Sequence, residues 1–303
     1  MTCKIDVQYK RQIATATCLL LCITMLCFSK EMKLGVLEGI RLSSEILIPT
    51  LFPFFILSDY WSKNFYISDS SPFSRIFVRL FHIPPCGLLA FTTGIICGFP
   101  LGVKVARDLY DRDGIDQGQL TSLCGFSNNP SMAFVISGVG LGIFGSLSLG
   151  ILLFLSCLLS AIACGVLFRQ EETKVTKHAN ISRQKFNLIE SIKNAGLTSI
   201  TVSSYVIFFS AIIYALKPIT NFPLLVSTLE LCSAVEIISR ANFNVNNKLI
   251  LIAFSLGFSS FSVHLQAFSF MCTKVKKSRY LLMKLAQGFL SAITIFLLEK
   301  AVS

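Results

Sequence analysis

Long apolar runs separated by short charged segments dominate this chain. A membrane-spanning helix needs about 20 predominantly apolar residues, and six runs qualify: 13–29, 34–61, 120–144, 146–168, 190–216 and 280–302. Two more stretches, 87–110 and 249–272, are long enough but are interrupted at their centres, and the apolar stretch 222–239 carries two glutamates. The pattern predicts an all-α polytopic membrane protein with about eight or nine membrane segments, some of them re-entrant or broken.

The interruptions have a common character, because each combines helix-breaking residues with polar ones. They are CGFPLG at 97–102, FSNNPS at 126–131 and GFSSFS at 257–262. In lipid every backbone N–H and C=O needs a partner, so irregular backbone is tolerated only where it is buried in protein or lines a wet cavity. Each interruption is therefore predicted to be a re-entrant hairpin tip or a discontinuous helix.

Paired breaks of this kind predict a binding site for a small polar solute. A helix that restarts inside the membrane presents free N–H groups and a partial positive charge, which suits an anion, whereas unwound carbonyls suit cations. The candidate site residues are Gly98, Phe99, Pro100, Gly102, Lys104, Ser127, Asn128, Asn129, Ser131, Ser260, Ser262, His264 and Gln266.

A structural interpretation of the same residues stays open. Gly and Pro can simply kink packed helices, with Asn and Ser side chains bonding to the freed backbone groups. Lys104 can extend its ammonium group to the membrane interface, and His264 can be a packing residue. Glu230 and Glu236 lie about 120° apart on a helix, so they form no close pair, and an interfacial helix that leaves both in water is favoured.

Composition and charge support the membrane interpretation. Charged residues make up 14% of the chain and apolar residues 53%, against about 25% charged in a typical soluble domain. The net charge of +11 lies between the apolar runs, as topology determinants do. The expected partner is therefore the lipid bilayer and not nucleic acid, since no basic stretch is interleaved with exposed aromatic residues.

No pattern indicates catalysis or a cofactor. The eleven cysteines are scattered, no CxxC pair occurs and only three histidines are present, so neither a metal site nor a disulfide framework is expected. The Gly-rich stretch 137–150 lacks the GK[ST] of a nucleotide loop and is typical of close helix packing. We expect no enzyme activity, no catalytic residue and no cofactor.

The chain is predicted to divide into an N-terminal span with its flanks (1–33), a first repeat (34–168), a basic cytoplasmic linker (169–189) and a second repeat (190–303). Segments 38–58, 97–104 and 123–126 line up in order with 190–210, 259–266 and 286–289. The predicted arrangement is an inverted repeat, as in many secondary transporters. It conflicts with the positive-inside rule, because it places the basic residues between Lys274 and Arg279 outside.

Four segments resemble the YlbJ (SpoVV) family of sporulation integral membrane proteins, which belongs with the nucleoside-recognition, or Gate, domain proteins. They are IPTLFPFFILSDY (48–60), GFPLGVKVARDLYDRDGI (98–115), LCGFSNNPSMAFVISGVGLGIF (123–144) and SVHLQAF (262–268). The resemblance covers most of 35–288. The family's block falls on Gly98, Pro100, Gly102, Lys104, Phe126, Ser127, Asn128 and Pro130.

The resemblance implies a transporter-like multi-pass protein of the bacterial cell membrane or forespore membrane. The implied activity is movement of a small polar anion, with dipicolinic acid favoured. The coupling ion is left open, and a homo-oligomer is compatible with the sequence. Two alternatives remain: a nucleoside permease, and a structural or scaffold membrane protein of sporulation that transports nothing.

Overall fold

The computed structural model describes residues 26–64, 71–170, 186–216 and 228–302, with a few positions between 15 and 23. Most of the predicted first span, residues 171–185 of the predicted linker and residues 222–227 lie outside the described residues. Within the described parts the protein is helical and contains no β-strand. This confirms the all-α prediction, whereas the division into domains stays a prediction.

The chain enters the described region through a bent pair of helices. Helix α1 (Ser29–Leu42) continues through a π-helical turn (Ser43–Leu47) into α2 (Ile48–Asn64), and the path bends by 54°. α1 packs against α8 (Leu188–Leu216) at its glycines: a Cβ atom on Gly35 would lie 2.6 Å from the carbonyl oxygen of Ser210. Such small residues allow two helix backbones to approach closely.

A helical hairpin follows the short helix α3 (Pro72–Phe81). Its arms are α4 (Gly87–Ile96) and α5 (Leu101–Asp111). They lie side by side, since a Cβ atom on Gly102 would lie 3.0 Å from the Cα atom of Gly94. The tip contains Gly98 at φ +83°, a conformation that glycine adopts without a steric penalty. The first predicted break is therefore a hairpin tip.

The second predicted break is a discontinuous helix. α6 (Gln117–Ser127) begins with a capping box between Asp116 and Gln119 and ends before a non-helical stretch at 128–131, after which a π-helical segment (Phe134–Leu141) resumes the path. Helix α7 (Leu147–Leu167) then packs back on that segment. Gly140 and Gly150 meet there with no room for a side chain, which confirms the packing role of the Gly-rich stretch.

The second half contains α8, α9 (Leu231–Arg240), α10 (Val245–Phe258), α11 (Ser260–Phe270) and α12 (Lys277–Val302). α10 and α11 run on as one span, Val245–Phe270, broken at Ser259 and Ser260, whose φ angles are +79° and +57°. This span lies antiparallel to α12: Phe268 contacts Tyr280, and Phe254 contacts Phe289. The third predicted break is therefore a discontinuity within a span, unlike the hairpin α4–α5.

Four helical stretches of the described chain are long and apolar enough to cross a membrane: Leu147–Leu167, Leu188–Leu216, Val245–Phe270 and Lys277–Ala301. The bent pair formed by Ser29–Leu47 and Leu51–Trp61 raises the number to five. Eight or nine segments and an inverted repeat are not confirmed by these stretches.

The surface and core agree with a lipid environment. Large apolar side chains remain exposed along the long helices, including Ile200 at 63% and Phe289 at 57%, which is the pattern of a lipid-facing surface rather than a soluble one. Inside, one apolar cluster surrounds Phe126 and a second surrounds Leu153 and Leu256.

Candidate functional site

The hairpin tip and the break after α6 meet because two glycines leave room for them. The carbonyl group of Ser127, the last residue of α6, lies against Gly94 on one arm of the hairpin and Gly102 on the other. A Cβ atom at either glycine would overlap that carbonyl oxygen. The hairpin therefore holds the 128–131 stretch in place, and α12 approaches it from another side.

A buried lysine on α12 contacts this stretch. Lys284 has no exposed surface, and its Nζ donates hydrogen bonds to the backbone oxygen of Asn128 and to Oε1 of Gln287, both at 2.7 Å. Gln287 in turn donates from Nε2 to Oδ1 of Asn129 at 2.7 Å. The two asparagines of the break are thus tied to one face of α12.

The polar network extends from α12 to α11 through a tyrosine. The hydroxyl oxygen of Tyr280 accepts a hydrogen bond from Nδ2 of Asn128 at 2.7 Å and lies 3.1 Å from Nδ1 of His264. Tyr280 and His264 are buried. Within the described chain, Nε2 of His264 and Oδ1 of Asn128 are buried without a hydrogen-bond partner. The network therefore retains unused donor and acceptor capacity.

The comparisons with known proteins give a family for this architecture. The chain is 25% identical to the sporulation integral membrane protein YlbJ of Bacillus subtilis (strain 168) over an alignment of 315 positions, which covers 86% of this chain and 76% of the relative. This match confirms the predicted resemblance to the YlbJ family. No family model matches the chain, and no solved structure matches it. Assignment to the Gate-domain proteins therefore stays a prediction.

Part of the predicted site satisfies backbone groups at the break, which is the structural interpretation that the sequence left open. Nδ2 of Asn129 donates to the carbonyl oxygen of Phe126 at 2.7 Å, and Oγ of Ser131 accepts from the backbone N–H of Phe134 at 3.1 Å. Oγ of Ser127 donates to the carbonyl oxygen of Leu123. These side chains satisfy backbone groups near the break, as lipid burial requires.

Other predicted residues gather around a small cavity on the opposite face of α11. A void of about 40 Å³ is lined by Gly98 and Phe99 of the hairpin tip, Ser131 of the second break, Gln266 of α11, and Glu230. The hairpin tip, the second break and α11 thus meet at one cavity. Glu230 lines the same cavity, although it was not among the site residues predicted from the sequence.

The placement of Glu230 corrects one expectation. The interfacial interpretation left both glutamates in water, but Glu230 is 1% exposed. It precedes α9 and accepts hydrogen bonds from the backbone N–H groups of Cys232 at 3.0 Å and Ser233 at 2.6 Å. Burial raises the pKa of Glu230, and the two hydrogen bonds oppose that shift. Glu236 fits the expectation better, since it pairs with Arg240 at 2.6 Å near the surface.

The remaining predicted residues contribute differently. Lys104 is half-buried on α5. Burial raises the pKa of Asp108, one turn later on the same helix, and the charge of Lys104 opposes that shift. Ser260 and Ser262 are buried at the start of α11, with their hydroxyl oxygens 3.2 Å apart. Pro100 and Gly102 shape the hairpin. Of the two predicted basic residues, only His264 lies in the network.

Sequence reasoning missed Tyr280, Lys284 and Gln287, although the sequence carries a signal for them. Together with Ser291 they are spaced by four, three and four residues, which places them on one face of a helix. All four are buried. This polar face does not show in the average hydropathy, because the run 280–302 is apolar enough overall to be classed as an ordinary span.

Proposed function

We propose that this chain is a membrane carrier of spore formation that moves a small polar anion, with dipicolinic acid as the favoured solute. Its relative in Bacillus subtilis is a sporulation integral membrane protein, and the described chain contains at least four helices suited to crossing a bilayer. The predicted Gate-type breaks belong to this proposal, because discontinuous helices near the bilayer centre are where secondary transporters bind their solutes.

The buried amino group of Lys284 is the observation that carries the proposal. An isolated charge inside a protein in lipid costs several kcal/mol unless it is compensated. Lys284 has three N–H donors, and its two hydrogen-bonded acceptors, Asn128 and Gln287, are neutral. A carboxylate of a solute would supply both the missing acceptor and the opposite charge.

Uptake by reconstituted protein tests this function. Lys284→Gln keeps a hydrogen-bond donor but removes the charge, so we expect labelled dipicolinate uptake into proteoliposomes to fall by about tenfold or more, the equivalent of about 1.4 kcal/mol. Lys300→Gln is the matched control, because Lys300 is exposed on the same helix, over the ring of Phe296, and we expect it to transport as the wild type does. Equal uptake by Lys284→Gln would contradict the assignment.

A scaffold role is favoured by one specific observation: Lys284, Asn128 and Tyr280 have no exposed surface. In that case the Lys284→Gln substitution would lower the thermal unfolding midpoint, while spores of the variant strain would retain normal dipicolinate.

A competition assay separates the nucleoside alternative. In that case unlabelled nucleosides would block the uptake of a labelled nucleoside, and dipicolinate would not block it.

A further inference from the structure

The cavity at the breaks contains a carboxylate that the proposed anion site does not use. Its volume of about 40 Å³ is enough for two or three water molecules, each of which needs about 10–15 Å³ of such volume. Glu230 is the one charged side chain among the described residues that line it.

Among the described residues, the side chains that line the cavity with Glu230 are uncharged. The elements packed around the cavity contribute uncharged side chains, among them Leu47, Leu51, Val202, Val206, Val263 and Gln266. On α9 itself the nearest charged group is Glu236, which is engaged by Arg240 at 2.6 Å and lies 3.9 Å from Arg41. No described cation therefore pairs with Glu230, and burial favours its protonated form because that form is uncharged.

A larger, partly polar crevice lies next to this cavity. A crevice of about 720 Å³ lies between the π-helical segment Phe134–Leu141 and helices α9 and α10, with Arg41, Arg240 and Lys248 along it. Phe134 and Cys232 line both the crevice and the small cavity. The cavity that contains Glu230 and the crevice are therefore neighbours that share these two residues.

We propose that Glu230 is a proton-binding site that loads from the crevice and carries one proton with each anionic solute. The carboxylate takes a proton from water and becomes a neutral carboxylic acid, and it returns the proton to water on the other side of the membrane. The coupling to solute rests on the proposed function, whereas proton binding by Glu230 does not. A metal cation suits the cavity less, because hard cations need several oxygen ligands and the lining is mainly apolar.

A purely structural cap is the competing explanation, because Glu230 accepts two backbone hydrogen bonds at the start of α9. Glu230→Gln separates the two roles. The amide oxygen can still accept a backbone hydrogen bond and retain the cap, but the side chain no longer titrates.

Carbodiimide labelling tests proton binding without any transport. Dicyclohexylcarbodiimide reacts with protonated carboxyl groups in apolar surroundings, so full-length protein in nanodiscs should be modified at Glu230, as read by peptide mass spectrometry. We expect the rate to fall about tenfold for each pH unit above the pKa of the group. The exposed Glu190 is the control and should be modified far more slowly. Modification that is absent at Glu230, independent of pH or equal to that of Glu190 would overturn the proposal.

Uptake under a pH gradient tests the coupling. An inward proton gradient should accelerate dipicolinate uptake by the wild type, and Glu230→Gln should keep uptake down the solute gradient while losing the acceleration. Uptake driven by a sodium gradient and insensitive to pH would overturn the coupling. If the wild type moves no dipicolinate, the proposed function fails, and the labelling result still decides whether Glu230 binds a proton.

Discussion

At the scale of single residues, the contact between the hairpin and α6 depends on the absence of two side chains. A Cβ atom on Gly102 would overlap the carbonyl oxygen of Ser127 and approach the Cα atom of Gly94. Both neighbours are backbone atoms, so neither can rotate away. An added methyl group would therefore displace the hairpin from the break.

We therefore expect Gly102→Ala to destabilise the protein by about 1–3 kcal/mol, the usual effect of overpacking. Thermal unfolding of purified protein in nanodiscs measures it. Gly138→Ala is the control, since its nearest neighbour would be a ring carbon of Phe134 at 3.5 Å, an ordinary contact. Equal unfolding midpoints for Gly102→Ala and the wild type would contradict the close approach.

The residues of the network show what a sequence can and cannot predict at this scale. Asn128, Asn129 and His264 were predicted because they accompany visible breaks in apolar runs. Lys284 was not, because one lysine in an apolar run looks the same whether it faces lipid headgroups or the protein interior. Its hydrogen bond to Asn128 joins residues 156 positions apart, and local pattern contains no information about such pairs.

At the scale of helices, the two halves use different breaks. The hairpin tip contains Gly98 and Pro100, which allow the chain to reverse. The aligned segment in the second half has Ser259 and Ser260, and the chain there continues in the same direction. The alignment of 97–104 with 259–266 predicted that both segments are interrupted, but it could not distinguish reversal from continuation, which depends on how α11 packs against α12.

The serine break carries backbone strain that can be measured. Left-handed conformations cost a non-glycine residue about 1–2 kcal/mol, and Ser259 adopts one at φ +79°. Its hydroxyl group makes only long hydrogen bonds, to the carbonyl oxygens of Leu256 at 3.3 Å and Gly257 at 3.5 Å. We expect Ser259→Gly to raise the free energy of unfolding by up to about 1 kcal/mol.

A glycine inside a regular helix gives the opposite sign, which provides the control. Ser255 lies in α10, and Ser255→Gly should lower the free energy of unfolding by about 0.5–1 kcal/mol through the greater freedom of the unfolded chain. Chemical denaturation in detergent micelles compares the two variants. Destabilisation by both substitutions to the same extent would show that the break at Ser259 is not strained.

At the scale of the whole molecule, the positions of the basic segments determine the topology. Nη2 of Arg279 donates to the carbonyl oxygen of Phe168 at 2.8 Å, and Gln117 donates to the carbonyl oxygen of Lys274 at 2.9 Å. The basic segment before α12 therefore lies at the end of the molecule where α7 finishes and the predicted basic linker begins. This arrangement agrees with the positive-inside rule and removes the conflict that the inverted repeat created.

Cysteine accessibility tests this topology. Because α10 and α11 form one span between Val245 and Phe270, Lys248 lies at the opposite end from Lys276. In right-side-out vesicles we expect an impermeant thiol reagent to modify Lys248→Cys, and to reach Lys276→Cys and Arg169→Cys only after the vesicles are opened, with mass spectrometry separating these sites from native cysteines. Modification of Lys248→Cys and Lys276→Cys from the same side would show that α10–α11 folds back as α4–α5 does, and would restore the matched hairpins of an inverted repeat.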